Sequence, residues 1–424
     1  MLGEEHDRRG ACRLYEKGTL KMIVSIMPGR LSGSVRAIAS KSQAHRMLIC
    51  AALADGKTEI CCRELSQDIE ATAGCLRALG ADIERRGESL VVTPIEQAAA
   101  GYVVLDCGES GSTLRFMLPV VCALGRECTI KMHGRLPERP LEPLWSELIR
   151  RGAVLSKPLR DEIAVSGKIV PGEYTIAGNV SSQFISGLMF ALPLVGGGRI
   201  RIEGELESVG YVDMTIRALE KFGVGIRREP GGFCVPGARR FSSAGAVEVE
   251  GDWSNAAFWL AAGELGSSVE CSGLDPDSPQ GDRAAVSALT GLGRGGEVDA
   301  RNVPDLVPIL AVAACGKKGA TRFCGAGRLR IKESDRIKSV CAMLSALGGD
   351  VEETPDGLIV HGTGSLRGGT VSSAGDHRIA MSAAIASTIC SESVTVEGAE
   401  CVRKSYPAFW EDFVSLGGKV SIEE

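Results

Sequence analysis

Residues 77–84 read RALGADIE, and this short stretch contains the pattern that decides the fold. An amphipathic segment ends in Leu-Gly and is followed by a short apolar segment typical of a strand. A glycine just past the last helical residue adopts the left-handed conformation in which many helices end. The stretch therefore predicts a helix that stops at Gly80, with a short strand after it.

Five further stretches repeat this pattern along the chain. They occupy residues 149–156, 220–227, 290–298, 345–352 and 414–422. The marking glycines are 72, 71, 70, 55 and 69 residues apart, in the order Gly80, Gly152, Gly223, Gly293, Gly348 and Gly417. This period excludes solenoid repeats, which span roughly 20–50 residues.

A second marker has the same period. It is a helix with a polar or glycine-rich start, followed by a run of small apolar residues, and its copies are spaced 69, 70, 71, 53 and 71 residues apart. The six copies occupy residues 41–56, 111–125, 181–197, 252–266, 304–316 and 376–390. We expect these apolar helices to be buried and the amphipathic helices to cover the outside.

Together the two markers predict six copies of one α/β unit with two helices each, joined by Val/Ile-rich strands such as residues 102–107 and 394–400. Six units would overfill one core, so we expect three in each of two domains. The short fourth unit places the start of the second domain near residue 250. For both domains to reach three units, residues 22–39 must belong to the second domain.

Composition limits the class of protein. The chain has 424 residues, a formal net charge of −5, and no apolar run near the roughly 20 residues of a membrane helix. The 15 cysteines lie within apolar stretches without a Cys-x-x-Cys pair, and the five histidines are not paired at metal-ligand spacing. We expect free thiols, no metal and a cytoplasmic protein. Residues 1–21 lack a secretion signal and are expected to be a disordered extension.

The starts of the buried helices carry the candidate binding residues. A helix N-terminus offers unpaired N–H groups and a partial positive charge, so six brought together would form an anion-binding cleft. At the first, Ser42 and Arg46 lie on one helical face, with Lys41 before them. This arrangement fits a clamp for phosphate or carboxylate, and equally a capped helix with an exposed arginine.

The other starts favour anion binding as well. Ser181, Ser182 and Gln183 open the third buried helix and offer more polar groups than capping requires. Asp305, at the mouth of an apolar helix, either complements the helix dipole or serves as a base. Further candidates are Gly111, Arg115, Arg135, Arg139, Lys332, Glu333, Asp335, Arg336, Asp376, His377, Arg378 and Lys404. Cations concentrated at these ends favour small, multiply anionic ligands over nucleic acid.

Eight ordered motifs resemble the 5-enolpyruvylshikimate-3-phosphate synthase family, over a match that runs from about Met22 to the C-terminus. They are SKSxxxR (40–46), GxSGSTLR (108–115), GRLPERP (134–140), VSSQF (180–184), VPD (303–305), IKESDR (331–336), DHR (376–378) and RKSYP (403–407). The resemblance implies a two-domain inside-out α/β barrel of six βαβαββ repeats, with the active site between the domains. It implies an N-terminal domain of residues 41–250 and a C-terminal domain of residues 22–40 plus 251–424.

The resemblance also implies a reaction. The family transfers the enolpyruvyl group of phosphoenolpyruvate to the 5-hydroxyl of shikimate 3-phosphate, a step of chorismate and aromatic amino acid biosynthesis that glyphosate inhibits. It implies no cofactor, and a monomer that binds these two small molecules and neither nucleic acid nor membrane.

Residue roles carried over from the family fall into three sets. Catalysis would involve Asp305 as base, Glu333 as the acid that protonates the methylene carbon, and Lys41 as an acid in phosphate transfer. Shikimate 3-phosphate would bind Lys41, Ser42, Arg46, Ser181, Ser182, Gln183, Ser208, Asp305 and Lys332. Phosphoenolpyruvate would bind Lys41, Gly111, Arg135, Gln183, Arg336, Arg378 and Lys404.

Two departures and two alternatives accompany this resemblance. Glu109 and Arg328 stand where many family members carry asparagine, which leaves open one polar contact near each ligand. One alternative is enolpyruvyl transfer to UDP-N-acetylglucosamine, by an enzyme with the same repeats. The other is an RNA-end-processing repeat protein, which predicts a basic face with stacked aromatics, whereas this chain has a pI near 5.8 and 4% aromatic residues.

Overall fold

A computed structural model describes residues 22–96, 101–238, 240–292 and 296–423. The expected extension at residues 1–21 and the marker Gly293 lie outside these described residues. The strands are β1 (Ile23–Met27), β2 (Ser32–Arg36), β3 (Thr58–Cys61), β4 (Asp82–Arg86), β5 (Ser89–Thr93), β6 (Val103–Asp106), β7 (Cys128–Lys131), β8 (Ala153–Ser156), β9 (Glu162–Gly167), β10 (Gly172–Ala177), β11 (Gly197–Glu203), β12 (Arg227–Glu229), β13 (Gly232–Pro236), β14 (Ala246–Glu248), β15 (Ser268–Ser272), β16 (Glu297–Asp299), β17 (Lys318–Cys324), β18 (Asp350–Thr354), β19 (Gly357–Thr363), β20 (Gly369–Ser372), β21 (Val394–Glu397) and β22 (Lys419–Glu423).

The α-helices alternate between the two predicted kinds, buried and amphipathic. They are α1 (Lys41–Ala52), α2 (Gln67–Ala78), α3 (Gly111–Leu124), α4 (Leu144–Arg150), α5 (Ser182–Ala191), α6 (Val209–Lys221), α7 (Trp253–Glu264), α8 (Ala285–Gly291), α9 (Val307–Cys315), α10 (Arg336–Ala346), α11 (His377–Ala386) and α12 (Phe409–Ser415).

Five of the sheets have four strands in the same order. In the sheet β10-β11-β13-β12, β10 and β11 run parallel, and the other two pairs are antiparallel. Its register places Tyr174 beside Ile200 and Ile200 beside Phe233, and all three side chains are buried. The same order occurs in β6-β7-β9-β8, β14-β3-β5-β4, β16-β17-β19-β18 and β20-β21-β1-β22. The three units whose four strands follow one another in the sequence therefore join two parallel strands through a helical crossover and close with a hairpin.

Two units are completed by strands that are distant in the sequence. β14 pairs with β3, and β1 lies between β21 and β22. Between these units the chain crosses twice, and the crossings run antiparallel through a bridge of Ala39 with Gly251. The backbone N–H of Ser40 donates to the carbonyl of Glu250 at 2.8 Å, so the two crossings support each other.

A hydrophobic core lies on each side of this crossing. One is built from residues between Ala44 and Val249, and the other from residues 22–38 and 257–416. The apolar helices α1, α3 and α5 lie in the first core, and α7, α9 and α11 in the second. All nine residues of α9 are buried, whereas α2, α6 and α10 bury one face only. The predicted division into buried and covering helices is confirmed for these elements.

The marking glycines end the amphipathic helices as predicted. Among the described residues, φ is 108° at Gly80, 108° at Gly152, 77° at Gly223, 81° at Gly348 and 90° at Gly417. These values lie in the region where a side chain is strained, which explains why glycine recurs at these stops.

The fourth unit differs from the others. It consists of β2, α7, β15 and α8, and β2 and β15 form a parallel pair without two further strands. Only residues 292–296 separate α8 from β16, whereas residues 151–171 separate α4 from β10 and include the hairpin of β8 and β9. The missing length is therefore that of one hairpin, and in the described residues this unit has two strands in place of four.

Two further expectations concern the described residues as a whole. Their cysteines are free thiols, and their longest α-helix, α3, has 14 residues, so none of these helices has the length and apolarity of a membrane span.

Replacing Gly152 by alanine should cost more stability than replacing Gly87 in the same core. Both have positive φ, 108° and 60°, but a Cβ at Gly152 would lie 2.7 Å from the carbonyl oxygen of Lys168, whereas nothing lies within 4 Å at Gly87. We expect Gly87→Ala to lose about 1 kcal/mol and Gly152→Ala at least about 1 kcal/mol more. Urea unfolding of both variants measures this, and equal losses would refute a close approach at Gly152.

Candidate active site

One cleft collects the N-termini of all six buried helices. It is lined by residues from the starts of α1, α3, α5, α7 and α11 and from the turn before α9. These residues are Lys41, Ser42, Arg46, Gly111, Ser112, Arg115, Phe116, Ser181, Ser182, Gln183, Phe184, Asp252, Ser254, Asn255, Asp305, His377 and Arg378. The six partial positive charges of these helix ends therefore point to one place, as the repeats predicted.

The side chains of the cleft are predominantly cationic. Among the described residues its lining includes eight Lys or Arg side chains and four carboxylates. The cations are Lys41, Arg46, Arg115, Arg139, Arg328, Lys332, Arg336 and Arg378, and the carboxylates are Asp68, Asp252, Asp305 and Glu333. A positive cleft in a chain of net charge −5 is suited to ligands with several negative charges.

Arg336 is the hub of the cleft. Its side chain is 1% exposed and lies at the first position of α10. Its Nη1 donates to Asp305 Oδ1 at 2.6 Å, its Nη2 to Glu333 Oε2 at 2.6 Å, and its Nε to Asp376 Oδ2 at 2.7 Å. Burial alone would lower the pKa of Arg336, but these carboxylates outweigh it and hold the pKa well above its usual value.

The two candidate acid–base groups are both ionised by this hub. Burial would raise the pKa of Asp305, but Arg378, Lys332 and Arg336 outweigh burial and hold it well below its usual value. Glu333 behaves alike: Arg336 and then Arg139 overcome burial and depress its pKa. Both carboxylates are thus proton acceptors as long as these cations face them.

The first helix holds its arginine rigidly. Arg46 is 2% exposed, and its Nε donates to Thr215 Oγ1 at 2.8 Å and its Nη2 to the carbonyl of Tyr211 at 2.9 Å. Burial lowers its pKa to about 10, which still leaves it charged. Lys41 Nζ is 2.8 Å from Asp68 Oδ2, so its ammonium is held across the mouth of α1.

The starts of α3 and α5 interlock. Gln183 donates from Nε2 to Ser112 Oγ at 2.8 Å and accepts from Arg115 Nη1 at 2.9 Å. A Cβ on Gly111 would lie 2.6 Å from Arg139 Nη1 and 2.7 Å from Arg115 Nη1. Glycine is therefore what allows two guanidinium groups to approach the backbone here.

Ser208 and Arg328 meet at one side of the cleft. Ser208 precedes α6 with φ of 55° and ψ of 44°, an uncommon conformation for serine. Arg328 donates from Nη2 to Ser208 Oγ at 3.0 Å and lies 2.6 Å from Glu207. Burial lowers the pKa of Arg328, although Glu207 opposes the shift. The departure at Arg328 thus adds a cation beside Ser208.

The remaining predicted residues lie at the rim of the cleft. Arg135 is half exposed, pairs with Glu138 and donates to the carbonyl of Glu333 at 3.4 Å. Lys404 Nζ contacts Glu109 Oε2 at 2.7 Å, so the other departure links the two halves of the chain. Burial alone would lower the pKa of Lys404, but the Glu109 carboxylate raises it.

The family resemblance assigned no role to several side chains of the cleft, among them Arg139, His377 and Tyr211. Arg139, whose side chain is 9% exposed, faces Glu333 at 3.6 Å, while Arg135 of the same motif lies outside. His377 is buried, and burial, with Lys41 and Arg378, lowers its pKa well below 6.5. Tyr211 follows Ser208 by one helical turn. The motifs GRLPERP and DHR contain the first two, and the spacing from Ser208 was the only signal for Tyr211.

No group of three or more His, Cys, Asp or Glu side chains in the described part of the chain is arranged to hold a metal ion. The cationic lining and the acid–base pair on Arg336 instead suit the handling of two anionic substrates. With six α/β units around such a cleft, fold and site define an enolpyruvyl transferase.

Comparisons with known proteins identify the family within this class of enzymes. Residues 26–413 match the family model of EPSP synthase (3-phosphoshikimate 1-carboxyvinyltransferase). A 3-phosphoshikimate 1-carboxyvinyltransferase of Clostridium kluyveri is 43% identical, with 94% of this chain and 98% of the relative covered, and that of Clostridioides difficile is 39% identical, with 95% and 98% covered. An EPSP synthase structure from Acinetobacter baumannii has a TM-score of 0.78 at 23% identity and covers 95% of this chain and 100% of its own.

The chain belongs to the EPSP synthase family and is an enzyme of its type, a transferase of the shikimate pathway of aromatic amino acid biosynthesis. The resemblance drawn from eight motifs is confirmed, and so is the fold class. The match selects this family over the sugar-nucleotide and RNA alternatives.

Proposed function

We propose that the cleft binds shikimate 3-phosphate and phosphoenolpyruvate together and transfers the enolpyruvyl group to the 5-hydroxyl of the former, releasing phosphate. The observation that supports this most is Arg336, whose guanidinium joins Asp305 and Glu333 at 2.6 Å each. The reaction needs one group that takes a proton from the hydroxyl and one that protonates the methylene carbon. A base and an acid held on one arginine meet this need.

Shikimate 3-phosphate is proposed to lie on the side of α1, α5 and α6. Ser42 and Arg46 would hold its carboxylate, and Ser181, Ser182 and Ser208 its phosphate. Other proposed contacts are Lys41, Gln183, Asp305 and Lys332. The hydroxyls stand at helix starts, where backbone N–H groups favour an anion.

Phosphoenolpyruvate is proposed to lie against α3, α10 and α11. Arg336 and Arg378 would hold its carboxylate, because a planar guanidinium pairs with a carboxylate through two hydrogen bonds. Its phosphate would meet Lys41, Gly111, Gln183, Arg135 and Lys404. The buried Arg139 is a further candidate, since it faces the same glycine.

Substrate binding is proposed to raise the pKa values of the two acid–base groups, Asp305 and Glu333. In the structure Asp305 and Glu333 pair with Arg336. Arg378, Lys332 and Arg336 keep the pKa of Asp305 low, and Arg336 and Arg139 keep that of Glu333 low. A substrate carboxylate that engages Arg336 and Arg378 weakens both contacts, so the pKa values of Asp305 and Glu333 rise. Asp305 then becomes a better base, and Glu333 can hold the proton it must donate, while Lys41 assists departure of the phosphate.

The organisation of the chain supports three further proposals. The two cores are proposed to be domains, with residues 41–250 in one and residues 22–40 plus 251–424 in the other, joined at the paired crossings. We propose a monomer, because all six helix starts of the cleft come from one chain. The free thiols of the described cysteines suit a reducing compartment, and we propose the cytoplasm.

Phosphate release tests the proposed reaction directly. We expect release from phosphoenolpyruvate only when shikimate 3-phosphate is also present, and we expect it to persist in excess EDTA because the proposed roles fall on side chains alone. Each substrate alone is the control. Release with UDP-N-acetylglucosamine but not with shikimate 3-phosphate would contradict the proposal.

Replacing Gly111 by alanine should weaken phosphoenolpyruvate binding. The new methyl group would press on the guanidinium groups of Arg139 and Arg115, which are buried and have little room to move. We expect the KM for phosphoenolpyruvate and the inhibition constant of glyphosate to rise about tenfold or more, equivalent to about 1.4 kcal/mol. The control is Gly74→Ala in α2, where nothing lies within 4 Å. Unchanged constants for both ligands would mean that they bind elsewhere.

Arg328 is proposed to add a charged contact to the phosphate of shikimate 3-phosphate. Its guanidinium already touches Ser208, and a hydrogen bond from a cation to a phosphate is worth about 1.5–3 kcal/mol. We therefore expect Arg328→Asn to raise the KM for shikimate 3-phosphate at least about tenfold and that for phosphoenolpyruvate less than about twofold. The exposed Arg322→Asn serves as control. An unchanged KM would limit Arg328 to its pairing with Glu207.

A further inference from the structure

The hydroxyl of Tyr211 bridges two carboxylates, of which Asp305 lines the cleft and Asp282 lies behind the lining. Tyr211 Oη lies 3.2 Å from Asp305 Oδ2 and 3.1 Å from Asp282 Oδ2. Asp282 belongs to the short 3-10 helix Gly281–Ala284, is 3% exposed and is not part of the cleft lining. Neither the family's motifs nor the proposed reaction assigns it a task.

The three oxygens need two hydrogens to form two hydrogen bonds, and the tyrosine carries one. Burial and the neighbouring Asp282 and Asp305 raise the pKa of Tyr211 well above 10, so its hydroxyl stays neutral. Both hydrogen bonds therefore form at the same time only when one of the two carboxyls is protonated. When both are ionised, they compete for the single tyrosine proton.

The surroundings of the two carboxyls differ. Asp305 faces Arg378, Lys332 and Arg336, which depress its pKa. Burial, and then the charge of Asp305, raise the pKa of Asp282 to about 6, while Arg378 and Ser254 oppose the shift and Asp252 adds to it. Asp282 Oδ1 has no hydrogen-bond partner among the described residues, which a neutral carboxyl tolerates better than a charged one. Asp282 thus has the higher proton affinity of the pair.

We propose that Asp282, through the hydroxyl of Tyr211, receives the proton that Asp305 removes from the acceptor hydroxyl. This rests on the proposed role of Asp305 as the base. As the acceptor oxygen bonds to the enolpyruvyl carbon, its proton passes to Asp305. Asp305 then donates a proton to Tyr211 Oη while Tyr211 releases its own to Asp282 Oδ2. The tyrosine ends neutral, Asp282 is protonated, and Asp305 is again an anion.

The direction of this transfer follows from the charges around the pair. The proton moves from the carboxyl that faces three cations to the one that faces one cation, Arg378, together with two carboxylates and Ser254. Asp282 lies outside the cleft lining, so it acts as a positioning residue that sets the proton occupancy of Asp305. It must be ionised to accept, and turnover should fall as the pH drops through about 6.

The test compares pH profiles of kcat between pH 5 and 9 for the full-length enzyme and its Asp282→Asn variant. We expect the native profile to have an acidic limb near pH 6. The profile of the variant should lack this acidic limb, and its kcat at pH 7.5 should be about tenfold lower than that of the native enzyme. Both KM values should stay within about twofold of the native values. A purely structural role would instead lower kcat without reshaping the profile, and this outcome would overturn the relay.

A second variant keeps the test decisive if Asp282→Asn folds poorly. Tyr211→Phe interrupts the same proton relay, so its pH profile should also lack the acidic limb. Adding Asp282→Asn to Tyr211→Phe should change kcat no further. Additive losses in the double variant would overturn the relay.

Asp305→Asn separates the two proposals. Turnover near that of the native enzyme would refute Asp305 as the base, and the relay with it. Loss of turnover in Asp305→Asn with an unaltered limb in Asp282→Asn would refute the relay alone.

Discussion

The cleft depends on one constraint, the convergence of six buried helix N-termini. Each of these helices is buried along most of its length, and every start faces the same cleft. Unpaired N–H groups there need an anion or a capping oxygen. Asp252 and Asp376 cap α7 and α11 with their own side chains, and Ser110 and Ser181 cap α3 and α5. The fold therefore provides an anion-binding site through its helix N-termini, whichever side chains line the cleft.

Burying several cations in one cleft costs folding free energy, and the chain offsets this cost with carboxylates of its own. Arg336 is almost fully buried, and an unpaired guanidinium there would be strongly destabilising. Asp376, fully buried, holds it permanently, while Asp305 and Glu333 lie nearer the cleft, with 17% and 21% exposure. This graded burial separates a structural partner from the two carboxylates proposed as base and acid. Stability and the proposed acid–base chemistry thus both depend on Arg336.

The periodic features of the fold could be predicted from sequence because they depend on local chemistry. A left-handed stop favours glycine, so Gly80, Gly152, Gly223, Gly348 and Gly417 mark the ends of five amphipathic helices among the described residues. The pairing of β14 with β3 and of β1 with β21 has no such local signal, since strands of this kind fit many partners. The same limit applies within the site. Arg135 and Arg139 are equivalent by composition, and only the turn at Leu136–Glu138 directs Arg139 inward and leaves Arg135 at the rim.

A contact between the two halves of the chain explains how Asp282 comes to the site. The segment between β15 and α8 reaches the other half, where Ser278 Oγ donates to Glu250 Oε2 at 2.6 Å. At Gly210 a Cβ would lie 2.8 Å from the backbone nitrogen of Gly281, so only glycine permits the approach that seats Asp282 against Tyr211. This contact between the two halves lies beside Tyr211, which bonds the residue proposed as the base.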